Sequence, residues 1–188
     1  MRHEGGFTLF ELVIVAIVSA ILAAVVTPLA LSSLRAYDNT LSNLIVLDKL
    51  RYATERLARE IREVNYNSGS SSYAFSSMGN NSMAFTRSYY DSSGAAITRT
   101  VTVGNSGAAV TLTYSDMAGT GAQVLTDQIS STNSLTFAYY DKDGCNANTT
   151  PTLCAITTGN VRYVQITLTL TQNGNPYTQR TRVALKNR

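Results

Sequence analysis

Three rhythms of apolar and polar residues divide the chain. From Leu12 to Leu34, 23 consecutive positions carry no charge, and Val, Ile, Leu and Ala fill most of them. At 1.5 Å per residue such a run forms a helix of about 34 Å, long enough for a bilayer core of about 30 Å. It is apolar all round, unlike a one-faced surface helix. A buried central helix is the bland alternative. A secretory signal cleaved near Ala30 is another, although the run exceeds the 7–15 residues such signals use. After Leu34 the second rhythm begins. Leu34, Tyr37, Leu41, Leu44, Leu47, Leu50, Ala53, Leu57, Ile61 and Val64 recur every three or four residues, an amphipathic stripe. Between Phe7 and Val64 there is no Gly, and Pro28 is the only Pro. The two stretches therefore predict one helix of about 58 residues, roughly 87 Å long.

The third rhythm has a period near two. From Asn65 to Ser82 eleven of eighteen residues are Ser or Asn, which reads as a linker or exposed loop. Short alternating runs follow at Met83 to Phe85, Ile97 to Val103, Val110 to Tyr114, Leu135 to Tyr139, Val164 to Leu170 and Val183 to Leu185. Turn signals separate them: Asp91 to Gly94, Gly104 to Gly107, Gly119 to Gly121, Asp141 to Gly144 and Asn173 to Pro176. This predicts antiparallel strands and hairpins. A sheet must bury its apolar face, and the helical stripe is the nearest cover. The expected fold class is α+β, a long N-terminal helix packed on a mostly antiparallel sheet.

Charge refines the picture. The chain has 188 residues, of which 14% are charged, with a net charge of +3. That fraction is low for a soluble domain, and a net charge so small does not argue for nucleic acid. Arg35, Lys49, Arg51, Arg56, Arg59 and Arg62 nearly balance Asp38, Asp48, Glu55, Glu60 and Glu63 on the second half of the helix, which reads as a solvated face. Glu11, by contrast, opens the apolar run. A carboxylate there is costly unless paired or neutralised, and a plain anchor gains nothing from it. It could complement the helix dipole, or pair with a cation nearby.

Gly6-Phe7-Thr8-Leu9-Phe10-Glu11, behind a short leader with Arg2 and ahead of the apolar helix, resembles the class III signal of type IV pilins and type II secretion pseudopilins. The likeness is close over residues 1–65 and loose beyond. It implies an inner-membrane prepilin peptidase that cuts between Gly6 and Phe7 and N-methylates Phe7. Residues 1–6 would be the leader, 7–34 the transmembrane and filament-core helix, 35–65 its amphipathic continuation and 66–188 a periplasmic or extracellular β-rich head. Glu11 would lie one turn beyond the new amine. A pair within the subunit is possible, but the resemblance favours a pair with the Phe7 amine of a neighbour, which sets axial register. Pro28 would kink or loosen the helix, or be a tolerated membrane-helix proline. Arg2 ahead of the run weakly favours a cytoplasmic leader. The partners implied are the prepilin peptidase, other pilin or pseudopilin subunits, assembly platform proteins and the inner membrane.

The strand segments from Leu135 to Asp141 and Val164 to Leu170, with the Arg182 to Arg188 ending, look like larger minor pilins and the J-type pseudopilin. They do not choose between pilus and secretion system. K-type tip pseudopilins usually lack the early Glu, so Glu11 suggests another subunit above this one. Cys145 and Cys154 would form a disulfide in an oxidising periplasm. Asp141 to Gly144 could start a calcium loop, but the bidentate acid expected further on is missing, and a turn is the simpler reading. Tyr89-Tyr90 and Tyr139-Tyr140 could be binding residues or cross-strand pairs.

Removal of the leader would discard His3, the single histidine. Ser–His, Cys–His and His–metal chemistry would go with it. The head has five acids, Asp91, Asp116, Asp127, Asp141 and Asp143, and no Gly-rich phosphate loop. An enzyme is not expected, nor a cofactor or a metal. The expectation is a minor pilin or pseudopilin that initiates, or sits near the tip of, a type IV pilus-like fibre. The alternatives are a tip adhesin or DNA-binding minor pilin, with nucleic acid not favoured, and a singly anchored periplasmic protein that does not polymerise.

Overall fold

The computed structural model describes residues 8–116, 122–146 and 155–186. The chain forms two compact units, Met1–Leu44 and Ile45–Arg188. One helix, α1 (Leu9–Arg62, 54 residues), contributes to both. Thr8 starts it: the amide of Glu11 donates to the Thr8 hydroxyl at 3.3 Å and to its carbonyl at 3.1 Å, satisfying an amide of the first turn. Pro28 lies inside the helix, which continues on both sides. At the far end Glu63 and Val64 donate to the carbonyls of Glu60 and Ile61, so the last turn tightens without a glycine cap. Arg59 and Arg62 in that turn complement the negative end of the dipole.

In the first unit the large apolar side chains from Leu9 to Leu34 are all exposed. The helix is long and apolar enough to cross a membrane.

In the second unit α1 buries Val46, Leu50, Ala53, Thr54, Leu57, Ala58, Glu60 and Ile61. The expected stripe holds from Leu50 onward. Upstream it does not: Leu34, Tyr37, Leu41, Leu44 and Leu47 are exposed. The helical period accounts for the last of these. Four residues back from Leu50 is Val46, and three back is Leu47; the buried face takes the first.

Ten strands follow among the described residues: β1 (Tyr66–Asn67), β2 (Ser72–Tyr73), β3 (Phe75–Met78), β4 (Met83–Tyr90), β5 (Ala96–Ser106), β6 (Ala109–Tyr114), β7 (Gln123–Thr126), β8 (Leu135–Tyr140), β9 (Tyr163–Gln172) and β10 (Asn175–Ala184). All pairings are antiparallel. They make two main sheets rather than one, a five-stranded meander β3-β4-β5-β6-β7 and a three-stranded sheet β10-β9-β8, with β1 and β2 as a separate pair. This is the α+β arrangement expected. The buried faces of both sheets and of α1 share one core. Its largest fully buried side chains include Phe85, Phe137, Leu57, Ile61 and Met83.

Two expectations are corrected. The Ser- and Asn-rich stretch is not a simple linker. It carries β1, β2 and β3, buries Tyr73, and is tied down by Asn65 N–H to Thr86 O and Tyr73 N–H to Thr158 O. Three aromatics, Tyr66, Tyr73 and Phe75, supply the anchorage that the polar composition hides; Tyr66 and Tyr73 meet edge to face at 5.1 Å. Gly104 and Asn105 lie within β5 rather than in a turn, because β5 and β6 pair as far as Ser106 and Ala109. The proposed turn at Gly119 to Gly121 lies outside the described residues.

Two hairpin turns repeat one pattern. In each, Tyr-Tyr-Asp-x-x-Gly ends a strand, at 89–94 and 139–144. Asp91 Oδ1 accepts from the Ser93 and Ala95 amides and the Ser93 hydroxyl. Asp141 Oδ1 accepts from the Asp143 and Cys145 amides. Gly94 and Gly144 sit at φ +81° and +78°, where glycine has no steric penalty. The five-residue loops close between paired Tyr90 and Ala96, and between Tyr140 and Asn146.

Candidate assembly and processing site

Gly6 and Phe7, the expected cleavage and methylation residues, lie outside the described residues. Glu11 is exposed in the first turn of α1. Thr8 caps that turn through the Glu11 amide, so the Glu11 carboxylate is not required to cap the backbone. Thr directly before the first helical residue is the sequence signal of this cap. Pro28 has no amide hydrogen, so the Ala24 carbonyl lacks its usual partner four residues on. Ser33 and Thr40 return their hydroxyls to the Leu29 and Ala36 carbonyls at 3.0 and 2.8 Å.

The second unit contains a polar cluster that a charge count does not show. Glu60, placed among the solvated charges by its neighbours in sequence, has a fully buried side chain. Arg87 on β4 pairs with Glu60 Oε2 at 2.7 Å and with Glu63 at 2.5 Å. Arg56, one turn back, reaches Glu60 Oε1 at 2.9 Å. The Tyr114 hydroxyl on β6 donates to the same oxygen at 2.7 Å, and Arg56 donates to that hydroxyl at 2.8 Å. Burial and the adjacent Glu60 carboxylate push the Tyr114 phenol above its ordinary 10.0, against the pull of Arg56. The cluster continues outward: Arg99 lies over the rings of Tyr89 and Tyr114, 4.4 and 4.8 Å from their centroids, and pairs with Asp116, which also accepts from Tyr89 at 2.9 Å. Tyr89 thus belongs to this cluster, while Tyr139 is buried and donates to the Gly79 carbonyl at 3.0 Å. Its burial raises its pKa as well. Arg182 covers Tyr140, 4.2 Å from the ring centre. Only Tyr90 of the two pairs stands largely exposed, at 77%.

Asp141 to Gly144 forms the turn described above, and its Lys142 pairs with Asp143 at 3.0 Å. Among the described residues no group of three or more His, Cys, Asp or Glu is placed to hold a metal. Cys145 follows this turn, and Cys154 lies outside the described residues.

Residues 1–27 match the family model described as the prokaryotic N-terminal methylation motif. No curated protein matches the chain. The motif spans the leader, Glu11 and most of the apolar run, and leaves residues 28–188 outside the match. The match indicates a class III prepilin signal at the N-terminus, and the long apolar helix followed by antiparallel sheets fits a type IV pilin-like protein anchored by a single helix.

Proposed function

We propose that the protein is a minor pilin or pseudopilin, a structural subunit that helps initiate, or sits near the tip of, a type IV pilus-like fibre used in pilus assembly or type II protein secretion. The methylation motif over residues 1–27 carries this reading. A prepilin peptidase cuts between Gly6 and Phe7 and methylates the Phe7 amine. The helix from Phe7 to Leu34 first spans the inner membrane, with the leader cytoplasmic and residues 66–188 periplasmic, and then enters the fibre.

Solvation supports the transfer. The apolar surface from Leu9 to Leu34 is exposed on every side of α1. Lipid and the apolar helices of neighbouring subunits are equivalent solvents for it, so the helix can exchange one for the other. Glu11 is the exception on that surface. A carboxylate in an apolar surrounding is costly unless paired, and a neighbour's Phe7 amine would offset that cost while fixing register. Pro28 would let the helix loosen as subunits pack. A Cys145–Cys154 disulfide would close a short loop of the head.

Mass spectrometry of the protein isolated from membranes tests the reading. The expected N-terminus is N-methylated Phe7. An intact Met1, or an N-terminus near Ala30, overturns it.

A further inference from the structure

None of the ten strands contains an acidic residue. Their charges are four arginines. Arg87 is neutralised by Glu60 and Glu63, and Arg99 by Asp116. The other two, Arg180 and Arg182, lie on β10, are exposed, and have no acidic partner among the described residues. Arg182 is instead held flat over the Tyr140 ring. Strand β10 ends its sheet: it pairs with β9 in ten consecutive registers without a bulge, and no described strand lies on its other side.

Where α1 approaches β10 at Thr181 lies a groove of about 300 Å³, lined by Glu55, Ala58, Arg59 and Arg62 of α1 and by Thr181 of β10. Arg59 and Arg62 are exposed and also lack an acidic partner among the described residues. Glu55, the one acid of the groove, is already paired with Arg51 at 2.7 Å. Thr181 points into the groove, whereas its neighbours Arg180 and Arg182 alternate to the other face of the sheet. A chain laid along β10 would meet Arg59 and Arg62 on one face and Arg180 and Arg182 on the other.

We propose that this groove takes an acidic extended segment of a different protein, added as a fourth strand beside β10. Strand addition supplies main-chain hydrogen bonds and leaves specificity to alternating side chains. Here the alternation favours carboxylates on both faces. A second copy of this chain is a poor occupant. None of its described strands is acidic, and antiparallel pairing of two β10 strands about Thr181 would set Arg180 opposite Arg182, which like charge disfavours. Arginine on an edge also keeps identical edges apart, so the same residues reject self-pairing and select the acidic partner. A nucleic acid strand would meet the cations but would leave the main-chain edge of β10 unused. The proposal stands apart from the fibre reading, since it depends on no residue of the signal.

The test uses the full chain in detergent micelles and a fluorescein-labelled peptide, Thr-Glu-Glu-Val-Glu-Glu-Thr, which places two carboxylates on each face of a strand, followed by fluorescence anisotropy. Its comparators are the same peptide with Lys for Glu, the acidic peptide with alternate backbone amides methylated, and a single-stranded oligothymidine. The acidic peptide should bind at least about tenfold more tightly than each comparator. Arg180→Glu with Arg182→Glu should lose that binding and gain binding of the Lys peptide. Arg59→Ala with Arg62→Ala, at exposed helical positions that tolerate Ala, should weaken the acidic peptide alone, and serves if the first variant does not fold. Absence of acidic-peptide binding, equal binding of the methylated peptide, or tighter binding of oligothymidine overturns the proposal.

Discussion

The Tyr114 hydroxyl donates to Glu60 Oε1 at 2.7 Å, joining strand β6 to a carboxylate whose side chain is wholly buried on α1. Arg87 holds the other oxygen at 2.7 Å from β4. The helix is thus fixed to the two strands that flank β5 in the five-stranded sheet, by directional bonds as well as by apolar packing. A buried carboxylate is tolerable only when paired and hydrogen-bonded. Glu60 has two cations and a phenol around it.

Glu60→Gln should therefore destabilise the head by about 3–5 kcal/mol, because two arginines lose the charge they were arranged to meet. Glu63→Gln removes the half-exposed partner of Arg87, 49% accessible, and should cost less than about 1 kcal/mol. Urea unfolding of the full chain in micelles, followed by tyrosine fluorescence, measures both. Similar losses for the two variants would contradict the assignment of Glu60 as the pinning residue.

Alkaline pH should weaken the same contact. The Tyr114 phenol is raised in the folded state by burial first and then by Glu60, and Tyr139 is raised by burial. Both are neutral below the unfolded value near 10.0, so their share of stability is fully present there. As pH climbs above it, the unfolded chain ionises first, and stability falls until the folded-state values are passed. Thermal midpoints measured from pH 8 to pH 11.5 should hold level and then drop. Tyr114→Phe should flatten part of that drop while lowering stability at pH 8 through the lost hydrogen bond.

Gly94→Ala isolates backbone strain. Nothing lies within 4 Å of the Cβ position, and φ is +81°. The cost should be about 1 kcal/mol, from conformation alone. Chemical denaturation checks it, and a neutral result would show that the turn can relax.

Glu11→Val should leave peptidase cleavage intact, yet reduce recovery of the subunit in sheared fibres several-fold. Immunoblots of membrane and fibre fractions separate the two steps. Undiminished recovery would remove Glu11 from the register contact.

Thiol labelling of the folded head should detect no reactive cysteine before reduction. Cys145→Ser should lower stability by about 2–3 kcal/mol if the short loop is closed by a disulfide with Cys154. Labelling without reductant would exclude the bond.

Much of this protein is legible along the chain. The uncharged, mostly apolar run from Leu12 to Leu34 and the motif around Glu11 depend on local order alone, so the anchor and its signal appear without any fold. Five of the ten strands appear from their alternation, because a half-buried strand writes its two faces into its sequence; of β10 only Val183 and Ala184 do, and its Asn175 and Pro176 read as a turn. The helical stripe is readable from Leu50 onward for the same reason. The repeated Tyr-Tyr-Asp-x-x-Gly was also there to be found, since each turn is closed by its own Asp and Gly.

Other features became visible only once distant segments met. Glu60 has charged neighbours in sequence and reads as solvated; its burial is decided by Arg87 and Tyr114, 27 and 54 residues away. The stretch from Asn65 to Ser82 reads as a linker because Ser and Asn dominate it, yet three aromatics anchor its short strands. Arg180 and Arg182 count as two charges of a nearly balanced chain until the sheet places them, without acids, along an open edge. The sequence by itself determined which segment can live in lipid, because that depends on composition over consecutive residues. Only the tertiary structure decided which charges are buried, paired or left facing a groove, because charge energy depends on distances between residues far apart in the chain.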